Sequence, residues 1–237
     1  MKKEKSKIQL PINKAHRVLA PRIAYIVTSI DKEGRVNAAS FSNLTSVSTE
    51  PERLVLGVYK AWDTIKNIRA TREFVINVPS KNLLKEVWTC GDKYAGNPIP
   101  RGIDELPIAG LTEIPSEKVK PPRVAECSMH LECKVVWIKN VGNHFLVLGD
   151  IVSASYTKGS FDKDLIQIIP KTLPLMEISR GFFTSPGKVV AVNRKQVREK
   201  VNKELAKMKV KISKKLKIYE KLRWSEEWER LYEINDI

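Results

Sequence analysis

Cysteine is scarce in this chain. Only Cys90, Cys127 and Cys133 occur in 237 residues, and no two of them form a CxxC pair. That argues against a disulfide framework and against a zinc ribbon, and it makes a reducing cytoplasm the default compartment. Cys127 and Cys133 are six positions apart, which would place them on one face of a strand. No flanking feature suggests a lowered thiol pKa, so all three read as plain buried thiols. No apolar run approaches the roughly 18 residues of a membrane span. The basic N-terminus MKKEKSKIQLP has no apolar stretch after it, which argues against a secretory signal. No internal repeat is visible. The formal net charge of +15 raises nucleic acid as a partner. No Cys/His finger or RNA-binding aromatic motif accompanies it, so that reading ranks last.

What is present is a 42% hydrophobic chain of 237 residues, enough for one large domain or for one domain with an extension. Much of the excess charge lies at the C-terminal end: from Lys188 to Ile237 there are 15 Lys plus Arg against 8 Asp plus Glu, a net of +7. In that tail Val197, Val201, Leu205, Met208, Ile212, Leu216, Tyr219 and Leu222 recur at helical spacing, and Ser225-Glu226-Glu227 reads as the start of a second helix. The expected organisation is a domain over 1–187 and a basic helical extension over 188–237. An arm made only for nucleic acid would be a charge block without the apolar stripe.

Within the domain, IAYIVTSI (23–30) suits a strand, Asp31-Lys32-Glu33-Gly34 a turn, and RVNAAS a returning strand. LVLGVY (54–59) and EFVINVPS (73–80) are two more strands. Between them AWDTIKNIRATR predicts a short helix capped by Asp63 or Thr64. NLLKEVWTCG (82–91) predicts another. Residues 91–123 are rich in proline and glycine and read as a lid or wrapping loop. HLECKVVWIK, the turn NVGN and HFLVLGDIVSASYT predict two long strands, and LIQIIP (165–170) a last short one. Antiparallel strands in this arrangement predict a mainly β fold, a small Greek-key barrel with short peripheral helices.

One stretch stands apart. NAASFSNLTSVST (37–49) carries no charge and six hydroxyls. Strand signals fade there, and the residues alone leave two readings open. One is an ordinary Ser/Thr-rich surface loop. The other is a loop anchored by Phe41, Leu44 and Val47 whose hydroxyls and backbone face a ligand. Lys60, Asp63, Thr64 and Asn67 form a similar pair of alternatives: an ordinary capped helix, or a helix start that receives an anion.

Taken together, PRIAYIVTSIDKEGRVNAASFSNLTSVSTEPERLVLGVYKAWDTIKNIRATREFVINVPS resembles the N-terminal half of the flavin reductase-like family, whose fold is the FMN-binding split barrel. VKPPRVAECSMHLECKVVWIKNVGNHFLVLGDIVSA is similar to its second half, so the likeness spans about residues 15–180. The resemblance implies that FMN is bound. Asn37, Ala38, Ser40 and Phe41 would run beside the ring. Thr45, Ser46, Val47 and Ser48 would reach its edge, the ribityl chain and the phosphate. Tyr59, Lys60, Asp63, Thr64 and Asn67 would complete the phosphate side. Trp62 is bulkier than the family pattern leads one to expect. His144, in the Gly-polar-His turn, is the candidate catalytic side chain near the flavin or nicotinamide, or else a turn histidine that caps a strand. His16 and His130 read as ordinary surface or core residues. The implied activity is an NAD(P)H-dependent flavin or ferric reductase passing electrons from bound FMN to an unidentified acceptor. The alternative is a flavoredoxin-like electron carrier without nicotinamide activity. A homodimer with the flavin at the subunit junction is implied as well.

Overall fold

Runs of β-branched and aromatic side chains build a curled antiparallel sheet in the computed structural model, which describes residues 7–91, 99–179, 181–189 and 194–207. The chain enters through β1 (Arg22–Ile23), β2 (Tyr25–Ile30), β3 (Val36–Phe41), β4 (Leu44–Thr49) and β5 (Glu52–Tyr59). It turns through α1 (Asp63–Thr71) into β6 (Glu73–Val78), then α2 (Leu84–Thr89) and α3 (Glu105–Ala109). The small pair β7 (Glu113–Ile114) and β8 (Arg123–Val124) precedes the long strands β9 (Met129–Val141) and β10 (His144–Tyr156). After α4 (Ile169–Thr172) come β11 (Met176–Ser179) and β12 (Phe182–Thr184). The chain divides into two compact units, residues 1–186 and 187–237, and α5 (Arg194–Lys207) belongs to the second. The expected tail residues from Met208 onward lie outside the described residues. No helix among the described residues is long and apolar enough to cross a membrane.

The seven-stranded sheet runs β3-β2-β6-β9-β10-β5-β4. Its two edge strands are consecutive in the chain and joined by Ser42 and Asn43 alone. Three peptide steps reach at most about 11 Å, so the sheet must curl until its edges nearly meet. No ladder joins β3 to β4: the barrel is split, and the hydroxyl stretch supplies both lips of the split. The link is pinned from outside, because Arg22 Nη1 donates to Asn43 Oδ1 (2.8 Å) and Ser42 Oγ donates to the Glu177 carboxylate.

β2 is buried on both faces, which is why it reads as a continuous apolar run rather than an alternating one. Val27 points into an inner core with Leu56, Phe74, Ile76 and Val147, which α1 enters with Ile65 and Ile68. Ile26 points into an outer core with Ala38, Val87, Leu106, Leu111 and Val124. The described part of 91–123 covers that outer core. It is fixed there by buried polar side chains: Asn77 Oδ1 accepts from Val124 N (2.8 Å), and Glu132 accepts from Glu117 N (2.9 Å) and Lys118 N (2.6 Å). Of the two expectations for this segment, the wrapping loop describes these residues.

Other expectations are corrected. Residues 44–49 are a strand, not a loop, because they pair with β5 from Leu44 opposite Leu56 to Thr49 opposite Glu52. The N-cap of α1 is Trp62, whose side chain makes no capping hydrogen bond to the helix. Asp63 pairs instead with Lys66 (2.7 Å) and Thr64 with Asn37 (3.0 Å). Residues 165–170 form no strand: Gln167 makes an isolated bridge to Phe161, and Pro170 falls in the first turn of α4. Cys127 lies in a turn before β9, so it shares no strand face with Cys133. All three thiols are free and buried. Burial pushes Cys90 up to about 12 and raises the other two as well, which keeps them protonated and unreactive.

Candidate functional site

The period of two along β3 divides the first group of candidates. Phe41 packs in the inner core and Ala38 in the outer one. Ser40 shares Ala38's side of the strand. The backbone N–H groups of this lip are already used: Ala38 N donates to Glu105 Oε2 (2.8 Å) and Ser40 N to Cys90 O (3.2 Å). The β3 lip is thus closed by α3 and the end of α2.

Asn37, Thr64 and Asn67, expected on separate parts of a ligand, come together in one network. Thr64 Oγ1 donates to Asn37 Oδ1 (3.0 Å), and Ser29 Oγ lies 3.4 Å from the same oxygen. Asn67 Nδ2 donates to Ser29 Oγ (3.3 Å). Asn37 Nδ2 donates to Glu105 Oε1 (2.9 Å) and Oε2 (3.1 Å). Sequence reasoning missed Ser29 and Glu105. Ser29 was hidden in a strand run, and Glu105 reaches back across 68 positions from a proline-rich segment with no local sign of it. A shallow cavity of about 440 Å³ opens beside Asn37, Asp63 and Asn67, with Arg35, Lys66 and Arg101 on its wall.

A second group forms an aromatic row. Phe41 meets Trp62 edge-on (centroids 5.2 Å apart), Trp62 meets Tyr59 (5.8 Å), and Tyr59 meets His144 (5.5 Å). The last contact follows from register, since His144 stands directly opposite Tyr59 across β5 and β10. Lys60 lies on the rim with its Nζ 5.5 Å from the Phe145 ring centre. His144 Nδ1 is 2.6 Å from Asn143 Oδ1, an atom that only accepts, so Nδ1 carries the proton of the neutral ring and Nε2 is left as an acceptor. Burial pushes the His144 pKa down, which favours that neutral ring. His130 is buried between Val124 O (2.8 Å) and Ser155 Oγ (3.2 Å), and His16 is exposed.

Thr45, Ser46, Val47 and Ser48 run along β4, the other lip. Among the described residues its outer side pairs with no strand, and Thr45, Ser46 and Val47 are exposed. This lip is uncharged from Leu44 to Thr49 and offers hydroxyls and a free strand edge to a ligand.

Burial pushes the Glu105 carboxyl up to about 7; the Ala38 and Asn37 N–H groups pull it the other way without offsetting that, and Asp104 adds to the rise. The folded chain therefore holds a proton that an unfolded glutamate releases near 4.5. The resulting stabilisation is complete below that value and is lost as pH rises towards 7. Urea melts of Glu105→Gln should show a flatter fall in stability across this window than the parent, and parallel profiles would contradict the assignment.

Residues 18–184 match the family model described as flavin reductase like domain. An uncharacterized protein of Pyrococcus abyssi is 33% identical over 148 residues, 62% of this chain and 81% of that protein. Among solved structures, the flavoredoxin of Desulfovibrio vulgaris is 22% identical with a TM-score of 0.65, covering 82% of this chain and 98% of that one. The Streptomyces globisporus NADH:FAD oxidoreductase is 20% identical with a TM-score of 0.62, covering 78% of this chain and 99% of that one. These two likenesses establish the split-barrel fold.

Proposed function

We propose that this chain, which belongs to the flavin reductase-like domain family, binds FMN, accepts reducing equivalents from NADH or NADPH and delivers them to an acceptor such as free flavin, ferric iron or a partner oxygenase. The observation that carries the reading is the meeting of an uncharged, open hydroxyl strand with an aromatic row and a helix start. β4 begins three residues after Phe41, and Phe41 packs on Trp62 at the N-cap of α1.

Those residues suit a flavin. Exposed hydroxyls at Thr45 and Ser46 donate and accept without adding charge beside a ring that must tolerate two oxidation states. The rings of Tyr59 and Trp62 offer apolar surface, and the first N–H groups of α1 favour an anion such as the phosphate. When bound, the flavin supplies hydride and one-electron chemistry; the protein binds, orients and controls access. Purified protein should carry a flavin absorption band, or acquire one on titration with FMN, and mass spectrometry of the released cofactor should identify it. A chain that binds neither FMN nor riboflavin would overturn the reading.

A flavoredoxin-like carrier is the alternative. It is favoured by the anchoring of Leu106, Leu111 and Val124 in the outer core, against which stands the reach of Arg101 Nη2 to Ala61 O (3.5 Å) beside Trp62.

We also propose a homodimer. Ile8 and Ile12 are 93% and 89% exposed, Val18 and Leu19 are exposed beside them, and Val47 is exposed on the open lip. Burying such side chains against a second copy removes apolar surface that a monomer leaves in water. Sedimentation should give a mass near twice 27.0 kDa; a flavin-bound monomer at micromolar concentration would contradict this.

A further inference from the structure

We propose that Asn143 is a positioning residue for His144: it holds the imidazole with its proton on Nδ1 and leaves Nε2 as an open acceptor at the end of the aromatic row. The use of that acceptor rests on the flavin reading above; the hydrogen bond itself does not.

Two contacts fix the ring. Asn143 Oδ1 lies 2.6 Å from Nδ1, and the Tyr59 ring meets the imidazole at 71° with centroids 5.5 Å apart. An amide oxygen has no proton to give, so Nδ1 must supply one. Asn143 is itself tied down, since its main-chain oxygen receives Lys60 N (3.2 Å), and Trp62 N donates to Tyr59 O (3.2 Å) in the same corner. The turn between β9 and β10 is thereby joined to the residues that carry the row.

This end of the row is open. Tyr59 is 37% exposed, and the His144 side chain makes no other hydrogen bond among the described residues. The groups beside the ring are Tyr59 from β5, Val141 from β9 and Lys60, whose Nζ is turned to Phe145. No carboxylate competes with Asn143 for the ring; burial alone moves its pKa, downward. An acceptor in this place suits an N–H or O–H of a bound molecule, such as a carboxamide NH2, and sets a lone pair against a carbonyl or carboxylate oxygen. Asn143 touches no ligand in this scheme and acts only by fixing His144.

Nitrogen NMR of the histidine-labelled full chain reads the tautomer, because a ring nitrogen that bears a proton and one that does not have well-separated shifts; the His144→Ala spectrum assigns the signals. At about pH 8, where the ring is neutral, the Nδ1–H form should exceed the Nε2–H form roughly fivefold, the ratio expected for one hydrogen bond. In Asn143→Ala that excess should disappear. In Asn143→Asp it should remain, because a carboxylate also only accepts, while its charge keeps the ring protonated to a higher pH than in wild type. Both variants retain the main-chain oxygen that Lys60 N uses. On the FMN-loaded chain, Asn143→Ala should keep FMN affinity within about twofold and slow reduction by nicotinamide roughly fivefold. Asn143→Asp should match the wild-type rate at about pH 8.5 and fall roughly threefold below it at about pH 6.5, where its ring is charged and Nε2 has become a donor. A wild-type proton on Nε2, or an Nδ1–H excess that survives in Asn143→Ala, would overturn the proposal. So would a changed tautomer in Asn143→Ala with an unchanged rate, or an Asn143→Asp profile parallel to wild type. If Asn143→Ala is unfolded, the Asn143→Asp profile decides. A wild type that neither nicotinamide reduces rejects the reductase reading and the use of the acceptor with it, while the NMR still decides the Asn143–His144 bond.

Discussion

Gly149→Val is expected to destabilise the barrel by about 3 kcal/mol, a fall in melting temperature of roughly 6–12 °C for a chain of this size. A Cβ at Gly149 would stand 2.8 Å from Phe74 Cζ, 3.2 Å from Phe74 Cε1 and 3.4 Å from Cys133 Cβ. Phe74 is fully buried in the inner core, so its ring has nowhere to retreat. The position lies where the register of β9 and β10 shifts, between Leu148 and Gly149, and the close approach of the ring occupies the space a side chain would need. Gly187→Ala is the control, because a Cβ there meets nothing within 4 Å. Thermal melts of the two variants check the prediction; a Gly149→Val melt within a degree or two of the control would contradict it.

The second large effect concerns His144. Its ring is held against Tyr59 at 71° and is oriented by Asn143. In the neutral ring Nε2 is an acceptor. Under the proposed function, His144→Ala should leave FMN affinity within about threefold while slowing reduction of bound flavin by nicotinamide roughly tenfold or more, the kind of loss that follows misplaced reactants. Equilibrium titration and anaerobic stopped-flow on the same preparation separate the two quantities. Equal losses in both would make His144 a structural support for the Tyr59 end of the row. An unchanged rate would remove it from the site.

How much of this was legible in the sequence depends on how local the cause was. The β2–β3 hairpin was, because its apolar run and the Asp31–Gly34 turn sit side by side, with Gly34 at a φ of 84°. The long hairpin of β9 and β10 was readable for the same reason, with Gly142 at a φ of 54° in the turn. β4 was not. As an edge strand it packs on one side only, its residues are small and hydroxylated, and what makes it a strand is pairing with β5. The cap of α1 was misread because Asp63 and Thr64 are good caps in isolation, but their side chains serve Lys66 and Asn37 instead.

In the candidate site, the aromatic row follows from strand register, which a single sequence leaves open; Trp62, the departure from the family pattern, turns out to join Phe41 to Tyr59. Glu105 was out of reach entirely. Its partners lie 67 and 68 positions away, and only the wrapping of the 99–123 segment over the outer core brings them together. The resemblance set Asn37, Ala38, Ser40 and Phe41 together beside the ring, whereas strand alternation puts the side chains of Ala38 and Ser40 on the opposite face of β3 from those of Asn37 and Phe41.

Anaerobic mixing of the FMN-loaded chain with NADH and, separately, with NADPH tests the central claim most directly. The account predicts that the flavin absorbance bleaches with at least one nicotinamide and recovers when an acceptor is admitted. Flavin that stays oxidised with both, yet is reduced by dithionite or by a partner protein, would contradict the reductase and leave the electron carrier.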